Sequence, residues 1–124
     1  MGGISVRRLM IVDDALFMRV SIRKMLESYD YEIVAEACDG AEAVEKYKKY
    51  RPDVITMDIT MPNMTGIEAL KEIKEIDKDA KVIMVSALGQ EVMVKEAIIS
   101  GASSFIVKPF ERDKLVKVLD GVAK

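Results

Sequence analysis

Residues Leu9-Met10-Ile11-Val12-Asp13-Asp14 are four apolar residues followed at once by two carboxylates. A short apolar run that ends in polar residues is typical of a β-strand buried on both faces. The next segment, 15–28, has helical periodicity, and Arg19 lies off its apolar face, where we expect it to be solvated. That apolar face comprises Met18, Ile22, Met25 and Leu26. A buried strand is therefore predicted to lead into an amphipathic helix.

The same pattern of an apolar run followed by an amphipathic segment occurs five times. The predicted strands are 9–12, 32–37, 54–57, 82–85 and 105–107. The predicted helices are 15–28, 41–50, 66–76, 90–100 and 111–122. Five β–α units in succession predict an α/β fold with a parallel sheet between two helical layers. We expect a flavodoxin-like (βα)5 three-layer sandwich with strand order 2-1-3-4-5, in which strands one and three are neighbours.

Local signals at helix ends support this assignment. Asp39 and Thr65 are predicted N-caps, and each precedes by three residues a glutamate that completes a capping box. Gly101 follows the fourth helix and suits a left-handed C-cap.

Composition excludes several classes of function. The 124 residues predict one domain, 1–124, without a disulfide or a zinc cluster, because the chain has one cysteine and no histidine. The net charge is −2 with the signs interspersed, which predicts no nucleic-acid binding. The start lacks a signal-peptide pattern, and no apolar run is long enough to span a bilayer. We therefore expect a cytoplasmic protein, monomeric by default, that does not bind membranes.

Isolated polar residues follow the predicted strands: Asp13 and Asp14, Asp58, Ser86 and Lys108. Each one alone has a common structural explanation, such as a helix cap, a loop hydroxyl or a solvated charge. Together they lie at the carboxyl edge of the sheet, where open α/β folds place their sites. Three adjacent carboxylates repel one another, so the cluster needs cations. Lys108 supplies one charge, and Mg²⁺ with oxygen ligands would supply the rest.

These groups suffice for phosphoryl transfer. The Asp58 carboxylate can attack phosphorus to give an aspartyl phosphate, while the metal ion, Lys108 and the Ser86 hydroxyl stabilise the phosphoryl oxygens. A carboxylate is already deprotonated near neutral pH, so no general base is needed. Because the chain has no histidine, the phosphoryl donor must be another molecule.

With these residues in this order, the chain resembles a response-regulator receiver domain over nearly its whole length. Asp13-Asp14, Asp58, Ser86 and Lys108-Pro109 stand in the order and spacing of that family. The segment 61–66, Met-Pro-Asn-Met-Thr-Gly, is similar to the loop that follows the family's acceptor strand. The combination is specific, whereas an isolated Asp-Asp pair would be weak evidence.

The resemblance implies roles for the acidic residues. Asp58 corresponds to the phosphoacceptor. Asp14, Asp58 and the backbone carbonyl of Thr60 correspond to direct Mg²⁺ ligands, and Asp13 to a residue that assists through a water molecule. Such a protein is not a substrate-turnover enzyme, although it catalyses its own phosphorylation and dephosphorylation.

The resemblance also implies a switch. Ser86 and Lys108 correspond to residues that contact the phosphoryl group from two sides, and the bond to Pro109 is expected to be cis. Phe105 stands at the position of the family's aromatic switch. Core packing is the alternative explanation for Phe105.

Within the family, segments 13–19, 86–90 and 105–110 resemble stand-alone chemotaxis regulators of the CheY type. The implied partners are a CheA-like histidine kinase and a motor or motility-adaptor protein. The latter would bind the face formed by helix four, strand five and helix five. The fourth helix, which carries more apolar residues than a core stripe needs, is predicted either to expose some of them or to be deeply buried.

Several alternatives remain open at this stage. A single-domain phosphorelay intermediate that passes its phosphoryl group to a histidine phosphotransfer protein would have the same site. A receiver cut from a larger regulator would also match. Two other classes fit less well. A haloacid-dehalogenase-type phosphatase would need a second carboxylate that Asp58-Ile59-Thr60 lacks, and a flavodoxin-type FMN carrier would not place Asp13 and Asp14 in its phosphate loop.

Overall fold

Strands and helices alternate along the computed structural model, which describes residues 6–123. The strands are β1 Arg7–Val12, β2 Tyr31–Ala37, β3 Val54–Asp58, β4 Val82–Ser86 and β5 Ser104–Val107. The helices are α1 Leu16–Met25, α2 Gly40–Tyr50, α3 Gly66–Ile76, α4 Glu91–Ile99 and α5 Arg112–Ala123. The predicted lack of a targeting signal concerns the first residues of the chain, and residues 1–5 lie outside the described part.

The five strands form one parallel sheet in the order β2-β1-β3-β4-β5, as predicted. Successive residues of a strand point to opposite faces, and two separate apolar clusters result. Ile11 packs in the cluster that contains residues of α1 and α5. Met10 and Val12 pack in the cluster that contains residues of α2, α3 and α4. The three-layer flavodoxin-like fold is therefore confirmed.

Several element ends differ from the prediction. Helix α1 ends at Met25 rather than at residue 28, because the N–H groups of Leu26 and Glu27 donate to carbonyls only three residues back and tighten the last turn. Asp58 and Ser86 are the last residues of β3 and β4 rather than the first residues after them. Their backbones still pair in the sheet, opposite Val85 and Val107, although their side chains interrupt the apolar pattern.

The helix caps agree in part with the prediction. Thr65 forms a complete capping box at the start of α3. At α2, Asp39 accepts the N–H of Glu42, but the Glu42 carboxylate accepts the N–H of Cys38 instead of that of Asp39, so the predicted box is incomplete. Gly101 has a φ of 108° and ends α4 as predicted. Within residues 6–123 no helix is both long and apolar enough to cross a bilayer.

One glycine is required by close packing beneath the carboxyl edge of the sheet. The Gly66 N–H donates to the Ile59 carbonyl at 2.8 Å, and a Cβ at this position would lie 2.0 Å from the backbone oxygen of Asp58. Because backbone atoms cannot move aside easily, we expect Gly66→Ala to lower the free energy of unfolding by about 1 to 3 kcal/mol in urea denaturation.

The matched control is Gly121→Ala in α5, where an added Cβ would have nothing within 4 Å. There the gain in helix propensity should raise the free energy of unfolding by about 0.5 to 1 kcal/mol. Equal effects at the two positions would contradict the steric explanation for Gly66.

Candidate functional site

Three carboxylates meet at the carboxyl edge of the sheet. Asp13 and Asp14 follow β1, and Asp58 ends β3, which pairs with β1. One carboxylate oxygen from each of the three lies within 4.8 Å of the others. Asp13 is 1% exposed, whereas Asp14 is open to solvent. The strand order thus brings together residues that are far apart in the sequence.

Lys108 lies between two of these carboxylates. Its Nζ is 3.3 Å from Oδ2 of Asp13 and 3.6 Å from Oδ1 of Asp58. The other Asp13 oxygen, Oδ1, accepts the N–H of Ala15 at 2.9 Å. The peptide bond from Lys108 to Pro109 is cis, as the family resemblance implied. Asp13 therefore has a partner on each oxygen, while Asp58 has one cation at a longer distance.

The electrostatic balance at Asp58 is unfavourable for the ionised carboxyl. Burial of the side chain, followed by the negative charge of Asp13, raises the pKa of Asp58 to about 6. Lys108 lowers the pKa, but by less than these effects raise it. The single positive charge of Lys108 therefore does not neutralise the negative charge of the three carboxylates. A cluster of oxygen donors with excess negative charge fits Mg²⁺, which prefers such ligands.

Thr60 lies on the exposed loop after β3, two residues beyond Asp58. Its hydroxyl accepts a hydrogen bond from Nε2 of Gln90 at 3.0 Å. Ligation of a metal ion by the Thr60 carbonyl stays a prediction.

Ser86 ends β4, and Phe105 lies in the adjacent strand β5, close to α4. Ser86 is 1% exposed, and within the described part of the chain its hydroxyl has no hydrogen-bond partner. The two residues line a cavity of about 280 Å³, together with Val94 and Val107. The Phe105 ring is 43% exposed. In this structure, therefore, Ser86 makes no hydrogen bond to the aspartates, and a space lies beside the exposed ring.

Arg19, which was predicted to be solvated, contributes to the site instead. The guanidinium donates to the Asp13 carbonyl at 2.6 Å and to the Glu36 carboxylate at 2.9 Å, so it fixes the backbone of the acidic pair. Helical periodicity showed only that Arg19 lies off the apolar face. The acidic residue Glu36 within the apolar run of β2 was a signal that could have indicated its partner.

Comparison with known proteins identifies the class. The sequence model of the response regulator receiver domain family matches residues 9–120 of this chain. The chain belongs to the response regulator receiver domain family, the receiver class of two-component signalling. This membership argues against the phosphatase and flavin-carrier alternatives.

Individual relatives narrow the class further. The chain is 53% identical over 118 residues to the chemotaxis protein CheY of Thermotoga maritima, covering 95% of this chain and 98% of the relative. It is 57% identical over 113 residues to chemotaxis protein CheY of Bacillus subtilis, covering 91% and 94%. A solved CheX–CheY–BeF3–Mg²⁺ complex from Borrelia burgdorferi superposes with a TM-score of 0.88 at 45% identity, covering 95% and 90%. The predicted resemblance to CheY-type chemotaxis regulators is confirmed, and such receivers are signalling proteins rather than metabolic enzymes.

Proposed function

We propose that this chain is a two-component response regulator that a partner histidine kinase phosphorylates on Asp58 with Mg²⁺. Phosphorylation switches protein binding and thereby controls chemotaxis or flagellar-type motility. The observation that carries this proposal is the convergence of Asp13, Asp14 and Asp58 around Lys108 at the carboxyl edge of the sheet. The CheY relatives support the chemotaxis assignment.

In this proposal Asp14, Asp58 and the Thr60 carbonyl hold Mg²⁺ directly, and Asp13 holds it through a water molecule. The ion would neutralise negative charge on the phosphoryl oxygens. The Mg²⁺ in the Borrelia complex and the excess charge of the carboxylate cluster support this assignment.

The transfer step needs no base on this chain. One oxygen of Asp58 forms a bond to phosphorus as the phosphorus–nitrogen bond of the donor phosphohistidine breaks, and the departing imidazole keeps the electron pair and takes a proton from solvent. A pKa of about 6 leaves most of the Asp58 carboxyl ionised at neutral pH. Lys108 stabilises one of the three equatorial phosphoryl oxygens, since its Nζ is already 3.6 Å from Asp58.

The switch uses the buried Ser86 hydroxyl at the end of β4. We propose that the Ser86 hydroxyl, which has no partner within residues 6–123, donates to a phosphoryl oxygen and moves the loop 87–90 with it. The Phe105 ring then turns from solvent into the neighbouring cavity, because burial of an aromatic ring is favourable. The local charge change thereby biases a packing equilibrium.

The output surface is the face of α4, β5 and α5. Large apolar side chains are exposed there, with Val92 at 83%, Ile99 at 78% and Val107 at 37% exposure. Exposed apolar groups of this kind indicate a protein-binding surface. We propose that a motor or motility-adaptor protein binds this face and that the chain acts as a monomer in the cytoplasm.

Mg²⁺ should stabilise the folded protein. At a concentration about 100 times its Kd, the ion contributes about 2.7 kcal/mol, which corresponds to a rise in Tm on the order of 10 °C in a thermal melt. Asp14→Ala should abolish most of this rise, whereas Asp79→Ala, in the exposed loop before β4, should retain it. If Mg²⁺ raised the Tm of Asp14→Ala as much as that of the wild type, the metal site would have to be elsewhere.

Phosphoryl transfer from a kinase tests the function. A ³²P-labelled histidine kinase of the CheA type should transfer its label to this chain, and the chain treated with beryllofluoride should then bind a motor component. Failure to accept label from any such kinase would contradict the proposal. Rapid onward passage of the label to a histidine phosphotransfer protein, without motor binding, would favour the phosphorelay alternative.

A further inference from the structure

The side chain of Gln90 connects the two loops that border the site. Its Oε1 accepts the backbone N–H of Ala87 at 2.6 Å, and its Nε2 donates to the Thr60 hydroxyl at 3.0 Å. Ala87 directly follows Ser86, and Thr60 lies two residues beyond Asp58. One carboxamide thus links the loop after β4 to the loop after β3.

Gln90 makes this link instead of capping a helix. It occupies the N-cap position of α4, but its side chain makes no hydrogen bond to the helix. Its own N–H donates to the Ala87 carbonyl at 3.3 Å, and Gly89, with a φ of 89°, sits inside the turn so formed. Backbone and side chain of Gln90 therefore both close the turn 87–90, and the Thr60 bond anchors that turn to the loop after β3.

We infer that Gln90 is a positioning residue that holds this turn in its resting conformation and withholds the Ala87 N–H from the phosphoryl group. The inference rests on the proposed function, because Ser86 can move towards a phosphoryl group on Asp58 only if the adjoining Ala87 moves too. A charged phosphoryl oxygen is a stronger acceptor than a neutral carboxamide, so it can displace Oε1 of Gln90 from the Ala87 N–H. Phosphorylation then releases the turn, together with its link to Thr60.

Two substitutions remove this link from opposite ends. Gln90→Ala removes both hydrogen bonds without losing a helix cap, and Thr60→Val removes the hydroxyl while keeping the shape and the backbone carbonyl of residue 60. The control is Glu45→Gln, which also removes one exposed carboxylate but lies on α2. All variants are titrated with beryllofluoride and Mg²⁺, and their backbone amides are followed by NMR.

In Gln90→Ala the Ala87 amide should exchange with solvent about 5-fold faster than in the wild type, since one hydrogen bond is lost. The apparent Kd for beryllofluoride should fall about 3- to 10-fold in Gln90→Ala and in Thr60→Val, because the resting state is no longer favoured. The double variant should bind no more tightly than Gln90→Ala alone, and Glu45→Gln should match the wild type.

Three results would overturn the inference. Unchanged exchange at Ala87 in Gln90→Ala would show that the hydrogen bond is absent in solution, whatever the protein binds. Faster exchange with an unchanged Kd would show that the link is not coupled to the site. Additive effects of the two substitutions on the Kd would show that they do not act through one link. If the wild type does not bind beryllofluoride at all, the proposed function is contradicted, and so is the coupling of the Gln90 link to the phosphorylation site.

Discussion

Asp58→Asn is expected to abolish phosphorylation completely. Incubated with acetyl phosphate and Mg²⁺, the wild type should gain the mass of one phosphoryl group, and the variant should gain none. The amide of asparagine is too weak a nucleophile to attack phosphorus, although its shape leaves the surrounding residues in place. Intact-protein mass spectrometry measures the difference directly.

The control for this experiment is Asp79→Asn, which removes an exposed carboxylate at the opposite end of the sheet and should leave phosphorylation unchanged. The phosphoryl group on the wild type should also be released by hydroxylamine, as an acyl phosphate is. One stable phosphoryl group on Asp58→Asn would place the acceptor at another residue.

Asp58→Asn should also stabilise the metal-free protein at neutral pH. The pKa of Asp58 is raised from 3.8 to about 6, chiefly by burial and next by the charge of Asp13. Between about pH 4 and pH 6, therefore, the Asp58 carboxyl is protonated in the folded state and ionised in the unfolded state. Its contribution to the free energy of unfolding is full below about pH 4 and is lost as the pH rises through about 6. The loss is on the order of 1 to 3 kcal/mol, and an uncharged asparagine avoids it.

Urea denaturation in the presence of EDTA measures this effect. The free energy of unfolding of Asp58→Asn should exceed that of the wild type by a margin that grows between about pH 4 and about pH 6.5 and is constant above that range. Added Mg²⁺ should narrow the margin at neutral pH, because the ion stabilises the ionised carboxylate of the wild type. A margin independent of pH would show that the Asp58 carboxyl titrates normally in the folded protein.

Sequence patterns predicted the order and type of the ten elements within residues 6–123, because buried parallel strands are continuous apolar runs and amphipathic helices have a clear period. They misplaced the ends of β3 and β4 by one residue. The polar side chains of Asp58 and Ser86 end the apolar runs of the sequence, yet their backbone groups still pair with the adjacent strands. Hydrophobicity follows the side chain, whereas strand pairing follows the backbone.

Topology explains what could be predicted of the site. A strand order of 2-1-3-4-5 makes β1 and β3 neighbours, and so the convergence of Asp13, Asp14 and Asp58 follows from residues at the strand ends. The roles assigned to these residues, to Thr60 and to Phe105 remain predictions that the experiments above address.

Side-chain contacts across the fold could not be predicted in this way. The bond from Arg19 to the Asp13 carbonyl and the link from Gln90 to Thr60 depend on rotamers and loop paths that no local pattern specifies. Ser86 was expected among the aspartates, but its hydroxyl lies without a partner in the described structure, beside the cavity at Phe105. Ser86 lies one residue beyond Val85, the sheet partner of Asp58, and this offset became visible only with the register.

A crystal structure of the protein with Mg²⁺ and beryllofluoride tests the central claim most directly. We expect beryllium bonded to an oxygen of Asp58 and Mg²⁺ bound to Asp14 and Asp58. The Ser86 hydroxyl should donate to a fluorine, and the Phe105 ring should be turned into the cavity. Beryllofluoride bound away from Asp58 would contradict the assignment of the acceptor. Beryllofluoride on Asp58 with the Ser86 hydroxyl and the Phe105 ring unmoved would contradict the coupling between site and switch.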